Sequence, residues 1–221
     1  MYGAPPQRQP GRHILRKGVL GLILCLGLAF TVANARAADN PQPAVSPTSP
    51  ELEQAFAKSF HSFYPYADRR GMIPFALLSE TGQPSNLSVY KGKVVLLHFW
   101  ATWCPPCIRE LPGLNTLAQQ KSADTRFAVV PIALDFGKTA TQIREVMAKN
   151  NVNSLPVFTI SENDKSWEIL SGFSLPTSFL IGPDGQVLYK MVGDTDWSSP
   201  ASLSFINQLI ASHGTLTAQQ K

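Results

Sequence analysis

Apolar and polar positions alternate in short blocks through most of this chain, and the blocks predict an α/β domain. The run 94–100 (Val-Val-Leu-Leu-His-Phe-Trp) is apolar at six of seven positions, the pattern of a strand buried on both faces. Residues 127–134 form a second such run, and 177–181 and 187–192 two more, the latter pair joined by Gly182-Pro183-Asp184-Gly185, a turn signal. Between them, helical spacing predicts helices over 106–120, 140–150 and 200–212, the first containing Pro112, whose ring does not fit a straight helix interior. Earlier in the chain, residues 74–78 and 83–89 flank Glu80-Thr81-Gly82 and read as a hairpin. Leu52, Ala55, Phe56, Ser59, Phe60 and Phe63 fall on one helical face, predicting an amino-terminal helix from Glu51 to about Tyr64 that packs on the main domain, with a dimer contact as the alternative. Residues 157–160 and a turn around 165–170 read as an insertion-like segment.

The first 37 residues break this pattern. Arg8, Arg12, Arg16 and Lys17 precede a 14-residue apolar stretch, Val19 to Val32, and Ala35-Arg36-Ala37 follows as an A-x-A cleavage signal. The stretch is short against the roughly 20 residues of a spanning helix, which favours a cleaved signal peptide over a retained inner-membrane anchor. Either form exports the domain and predicts a periplasmic location. The formal charge of +4 belongs to this segment. Removing its five basic residues from 19 leaves 14 against 15 acidic ones, so the folded part offers no basic surface for nucleic acid. Residues 38–50 hold four prolines and no apolar period, and read as an extended linker. The expected organisation is targeting segment 1–37, linker 38–50, amino-terminal helix 51–70, main domain 71–213 and a flexible tail 214–221.

Cleavage also removes Cys25 and leaves two thiols, Cys104 and Cys107, in the mature chain. Two cysteines this close span almost no loop, so a disulfide between them adds little chain-entropy stabilisation and reactivity is the better reading. They sit where the 94–100 strand meets a helix. A sulfur at a helix N-terminus is held near negative charge, which lowers a thiol pKa. Cys104 is therefore expected to attack, and Cys107, one turn inward, to resolve the mixed disulfide. Pro105 and Pro106 stiffen the turn. A zinc site needs two further ligands, and the mature chain offers only His61, His98 and His213, so no metal and no cofactor is expected.

The run Phe99-Trp100-Ala101-Thr102-Trp103-Cys104-Pro105-Pro106-Cys107 resembles the active-site segment of thioredoxin-fold proteins, and is most similar to the exported TlpA/ResA-like reductases. Lys91-Gly92-Lys93, the segment Leu175 to Ile181, and Gly193 with Asp196-Trp197 extend the resemblance over roughly 72–211. It implies a thioredoxin-like fold, a central mixed sheet flanked by helices with an amino-terminal hairpin extension. It also implies that the Leu175–Pro176 bond is cis and lies against Cys104, exposing backbone that pairs with an extended substrate. Trp103, Pro105, Leu175 and Thr177 would form the substrate-binding rim. Glu110, three residues after Cys107, would assist the thiols and shuttle the proton of Cys107. Two positions depart from the relatives. His98 stands where thioredoxin has a buried Asp, and reads as a hydrogen-bonded core histidine or an acid/base group. Thr177 stands where many cytochrome c maturation reductases carry Glu.

The resemblance implies a thiol:disulfide oxidoreductase that reduces disulfides in other exported proteins, such as a cytochrome oxidase copper site or an apocytochrome, with electrons from a membrane thiol-disulfide relay. The alternatives are an exported disulfide oxidase, a thioredoxin-fold copper-binding chaperone and a peroxidase. Peroxidases of this fold usually place Thr at the position of Ala101, and copper chaperones usually carry a C-x-x-x-C spacing.

Overall fold

The computed structural model describes residues 49–66, 71, 75–160, 172 and 174–213. The chain divides into an amino-terminal unit, Met1–Gln42, and a main unit, Pro43–Lys221. The expected targeting segment, nearly all of the linker and the turn around 165–170 lie outside the described residues.

The sheet grows from its most apolar segment. Strand β4 (Val94–Trp100) is buried at all seven positions. It pairs in parallel with β5 (Phe127–Ala133) from Val94↔Phe127 to Trp100↔Ala133, and antiparallel with β7 (Thr177–Ile181) from Val95↔Ile181 to Phe99↔Thr177. Strand β8 (Val187–Val192) returns from β7 through a turn that Gly185 enters with φ 81°. Beyond β5 lies β6 (Phe158–Ile160), followed by β2 (Leu77–Ser79) and β3 (Pro84–Ser85); β1 (Ser62–Pro65) completes the far edge on β8. The order is β1-β8-β7-β4-β5-β6-β2-β3. Strand β4 is central because it has a continuous apolar run and needs cover on both faces.

Helix α2 (Pro105–Gln120) makes the crossover from β4 to β5, and α3 (Ala140–Lys149), opened by a Thr139–Gln142 capping box, makes the next one to β6. Leu111, Leu114 and Leu117 of α2, Ile143 and Met147 of α3, and Phe205 and Leu209 of α4 (Pro200–His213) share a core with Val94, Leu96 and Trp100. The alternate positions of β4, Val95, Leu97 and Phe99, belong to a second core with Val130, Ile132, Phe75 and Leu77. This opposite assignment of neighbours is the period of two expected of a strand. Among the described residues no helix is long and apolar enough to cross a membrane.

Two expected boundaries differ. The amino-terminal helix α1 (Pro50–Ala57) is capped by Ser49 and stops seven residues before Tyr64. Residues 62–65 instead form β1, with Phe63 opposite Met191. Aromatic side chains favour strands, and Pro65 biases Tyr64 toward extended backbone, so the local chemistry breaks the helical period. The apolar stripe nonetheless packs on the main domain: Phe56 stacks on Phe205 with centroids 4.1 Å apart, and Phe60 lies 5.5 Å from Trp197. The hairpin is also shorter than expected. Only Pro84–Ser85 pairs with β2, after which Asn86 caps a 3-10 turn over Leu87–Tyr90 by accepting the Ser88 N–H at 2.9 Å. An Asn side chain that bonds its own backbone two residues on competes with the ladder.

Candidate active site

The chain leaves β4 at Trp100 and turns sharply into α2. Thr102 fixes this turn: its N–H and hydroxyl donate to the Asp135 carboxylate at 2.9 and 2.5 Å, and the Lys138 ammonium sits against both side chains. The Cys104 N–H donates to the Ala101 carbonyl at 3.1 Å. Cys104 is the N-cap of α2, and its sulfur accepts the Cys107 N–H at 3.3 Å. That hydrogen bond and the helix dipole both favour negative charge on the Cys104 sulfur. Pro105 occupies the first helical position, where no N–H is needed.

Cys104 and Cys107 are joined in a disulfide with Cα atoms 5.3 Å apart. Cys104 is 4% exposed and Cys107 fully buried, so of the two sulfurs Cys104 is the one open to an incoming thiol. Beside it Trp103 is two-thirds exposed, and Pro105 is exposed as well.

Strand β7 approaches the same corner. The Leu175–Pro176 peptide bond is cis. The antiparallel register ends at Phe99↔Thr177, and one further step places Pro176 level with Trp100, at the point where the cysteine loop departs. Leu175 is half-buried and packs against both cores. The Pro176 carbonyl accepts the Gly193 N–H at 3.0 Å. Thr177 is fully buried and its hydroxyl donates to the Ser174 carbonyl at 2.6 Å, so this side chain holds the turn that presents Leu175 and Pro176.

Glu110 lies one helical turn beyond Cys107 and is 4% exposed. Its Oε2 accepts the Trp197 indole N–H at 2.9 Å and the Thr195 N–H at 3.3 Å. Its Oε1 faces the His98 Nε2 at 3.3 Å, and among the described residues neither atom has another hydrogen-bond partner. The other imidazole nitrogen, Nδ1, lies 2.9 Å from the Ser178 hydroxyl, which the β4–β7 register places directly opposite. Burial pushes the Glu110 carboxyl up to about 8 against the pull of its Trp197 and Thr195 hydrogen bonds. Burial also pushes the His98 imidazole down to about 3. With the disulfide closed, both groups are therefore held uncharged near neutral pH. Glu110 meets solvent at a cleft of about 220 Å³, lined also by Arg109, Gly113, Asp194, Thr195 and Asp196. Arg109 and Asp194 close an ion pair there at 2.8 Å.

Sequence reasoning brought Cys104, Cys107, Glu110 and Pro176 to this corner, but it did not pair Glu110 with His98, nor give Trp197 and Asp135 a part. The Trp197 link had no local signal, since 87 residues separate donor and acceptor. The His98 link had a faint one: a polar side chain inside a doubly buried strand needs a partner.

The sheet, the active-site disulfide and the cis-proline define a thioredoxin-like thiol:disulfide oxidoreductase. A sequence model of the Redoxin family matches residues 54–205, and the chain belongs to that family. It is 30% identical over 185 residues to the thiol-disulfide oxidoreductase ResA of Bacillus cereus, a match covering 82% of this chain and 89% of that protein. The ResA of Bacillus subtilis is 28% identical over 185 residues, covering 82% and 86%. The crystal structure of a putative thiol:disulfide interchange protein DsbE from Chlorobium tepidum superposes with a TM-score of 0.52 at 31% identity, covering 66% of this chain and 97% of that one.

Proposed function

We propose that the protein is an exported reductant of protein disulfides, working in the periplasm and recharged by a membrane thiol-disulfide donor. The observation that carries this reading is the unequal pair at the start of α2: Cys104 capped by the Cys107 N–H and slightly open, Cys107 closed. In the reduced protein the Cys104 thiolate attacks a substrate disulfide. One substrate sulfur leaves as thiolate and the other remains bonded to Cys104. Cys107 gives up its proton and attacks the Cys104 sulfur, forming the Cys104–Cys107 bond and releasing the second substrate thiolate. Two electrons pass to the substrate, whose thiols take up two protons. Glu110, as carboxylate in the reduced protein, takes up the Cys107 proton when the disulfide closes, since it is the titratable side chain one turn along the same helix, with the solvent cleft as exit.

The cis Leu175–Pro176 segment, with exposed Trp103 and Pro105, forms the rim on which an extended substrate segment lies. Cysteine pairs awaiting metal or haem, as in a cytochrome oxidase copper site or an apocytochrome, are substrates of suitable chemistry: they take up the metal or the haem only as free thiols. The relatives named ResA and DsbE support exchange of this kind.

A Cys107→Ser variant is expected to retain substrates as mixed disulfides on Cys104, identified by mass spectrometry of exported extracts. Trapping on Cys107 in a Cys104→Ser variant, with none on Cys104, would reverse the assignment of attacking and resolving thiols. The direction is set by the reduction potential, which across this fold runs from about −270 to about −120 mV. A value near the upper end would make the protein an oxidase.

A further inference from the structure

His98 is a buried titratable group that the thiol chemistry does not use. It occupies the fifth position of an otherwise apolar strand, fully enclosed, and both its nitrogens face a polar atom. Nδ1 meets the Ser178 hydroxyl at 2.9 Å; Nε2 meets Glu110 Oε1 at 3.3 Å. Only one proton fits between Nε2 and Oε1. With none, two lone pairs oppose each other in a low-dielectric interior. With one on Nε2, the carboxylate stays charged and buried. With one on Oε1, both partners are neutral, and Nδ1–H donates to Ser178.

We propose that His98 is a positioning residue that accepts the Oε1–H proton of Glu110 at Nε2, and so keeps that carboxyl protonated while the Cys104–Cys107 disulfide is closed. The inference rests on the reading that Glu110 exchanges a proton with Cys107, and adds what holds the proton ready. Among the described residues, the two charges that act on Glu110 oppose each other. Arg109 on the same helix favours the carboxylate, but Asp194, which pairs with Arg109 at 2.8 Å, opposes it. Trp197 and Thr195 donate to Oε2 and leave Oε1 to His98. Ser178 on β7 is the polar side chain that meets Nδ1, and a hydroxyl accepts from N–H as readily as it donates. The desolvation of both groups also favours the uncharged pair.

The test is nitrogen-15 NMR of the imidazole in the oxidised full-length protein between pH 5 and 7.5, with carbon-13 titration of the Glu110 carboxyl. The expected result is a neutral ring with Nδ1 protonated and Nε2 bare throughout this range. A protonated Nε2 in the oxidised protein would overturn the proposal. A His98→Phe variant, which keeps a planar ring but offers no acceptor, is expected to lower the Glu110 midpoint by about one pH unit, the worth of one buried hydrogen bond. A midpoint that stays or rises would also overturn it. If His98→Phe does not fold, the wild-type nitrogen shifts decide alone. Loss of disulfide exchange in the wild-type protein would instead sink the functional reading, and leaves these nitrogen shifts to be judged on their own.

Discussion

Gly193 and Trp197 stand four residues apart, and each carries a side-chain requirement that single-residue substitutions measure. Gly193 has φ 102°, and a Cβ there would stand 2.9 Å from the His61 Cβ and 3.1 Å from its nitrogen. Gly193→Ala is expected to destabilise the protein by about 1–3 kcal/mol, read by urea unfolding, because backbone strain and contact add. The position matters to the site, since the Gly193 N–H holds the carbonyl of Pro176. Trp197 donates the stronger of the two hydrogen bonds that oppose burial at Glu110. Trp197→Phe removes that donor, so the Glu110 midpoint is expected to move above about 8, by about one unit, in a carbon-13 titration. A downward move would mean that Trp197 does not support the carboxylate. The residues legible from sequence were those whose meaning is local: the cysteine spacing, the prolines between, and Glu110 one turn on. His98, Trp197 and Asp135 acquire their parts from register and loop packing, which no neighbouring residue encodes.

Helix α1 shows the same limit at the scale of elements. Its period of apolar positions continues past Ala57 through Phe60 and Phe63, and pattern alone extends the helix across them. The structure uses those aromatics equally well from a turn and a strand, because burial constrains where a side chain goes and leaves the backbone path open. Phe56, Phe60 and Phe63 surround Phe205, Tyr189 and Trp197. Strands β4, β5, β7 and β8 were read nearly to the residue, since runs buried on both faces and a Gly-Pro-Asp-Gly turn leave few alternatives. The consequence of the aromatic cluster reaches the site. Phe56 is fully buried with its ring stacked on Phe205, so Phe56→Ala is expected to cost about 3–5 kcal/mol in urea unfolding. The cluster also buttresses the indole that holds Glu110, so the same variant is expected to broaden the Trp197 indole N–H resonance. A variant with that loss of stability and an unchanged indole signal would show that α1 supports the fold without supporting the acid.

For the whole molecule, the Glu110–His98 pair makes stability depend on pH in a shape that follows from the signs. The carboxyl titrates near 4.5 when unfolded and is raised to about 8 in the fold; the imidazole titrates near 6.5 when unfolded and is lowered to about 3. Between about 3 and 4.5 the unfolded chain carries one more proton, on the imidazole, so stability rises with pH. From about 4.5 to 6.5 the unfolded chain has a charged imidazole and a charged carboxylate while the folded one has neither charge; the proton counts match and stability is level. From about 6.5 to 8 the folded protein holds the extra proton on Glu110, and stability falls as pH rises. Glu80 and Asp124, both lowered by arginine partners, act below this window, and Tyr90, raised by burial, acts above it. The oxidised protein is the form to measure, because its disulfide removes both thiols from the titration. Urea midpoints are expected to be level from pH 4.5 to 6.5 and to drop from 6.5 to 8. Glu110→Gln keeps a hydrogen-bonding side chain but cannot ionise, so its curve is expected to rise to about 6.5 and then stay level. A drop between 6.5 and 8 that survives in Glu110→Gln would place the responsible proton elsewhere. If the drop disappears, the buried carboxyl is charged only at a cost to the fold, and the protein has its proton store built into its core.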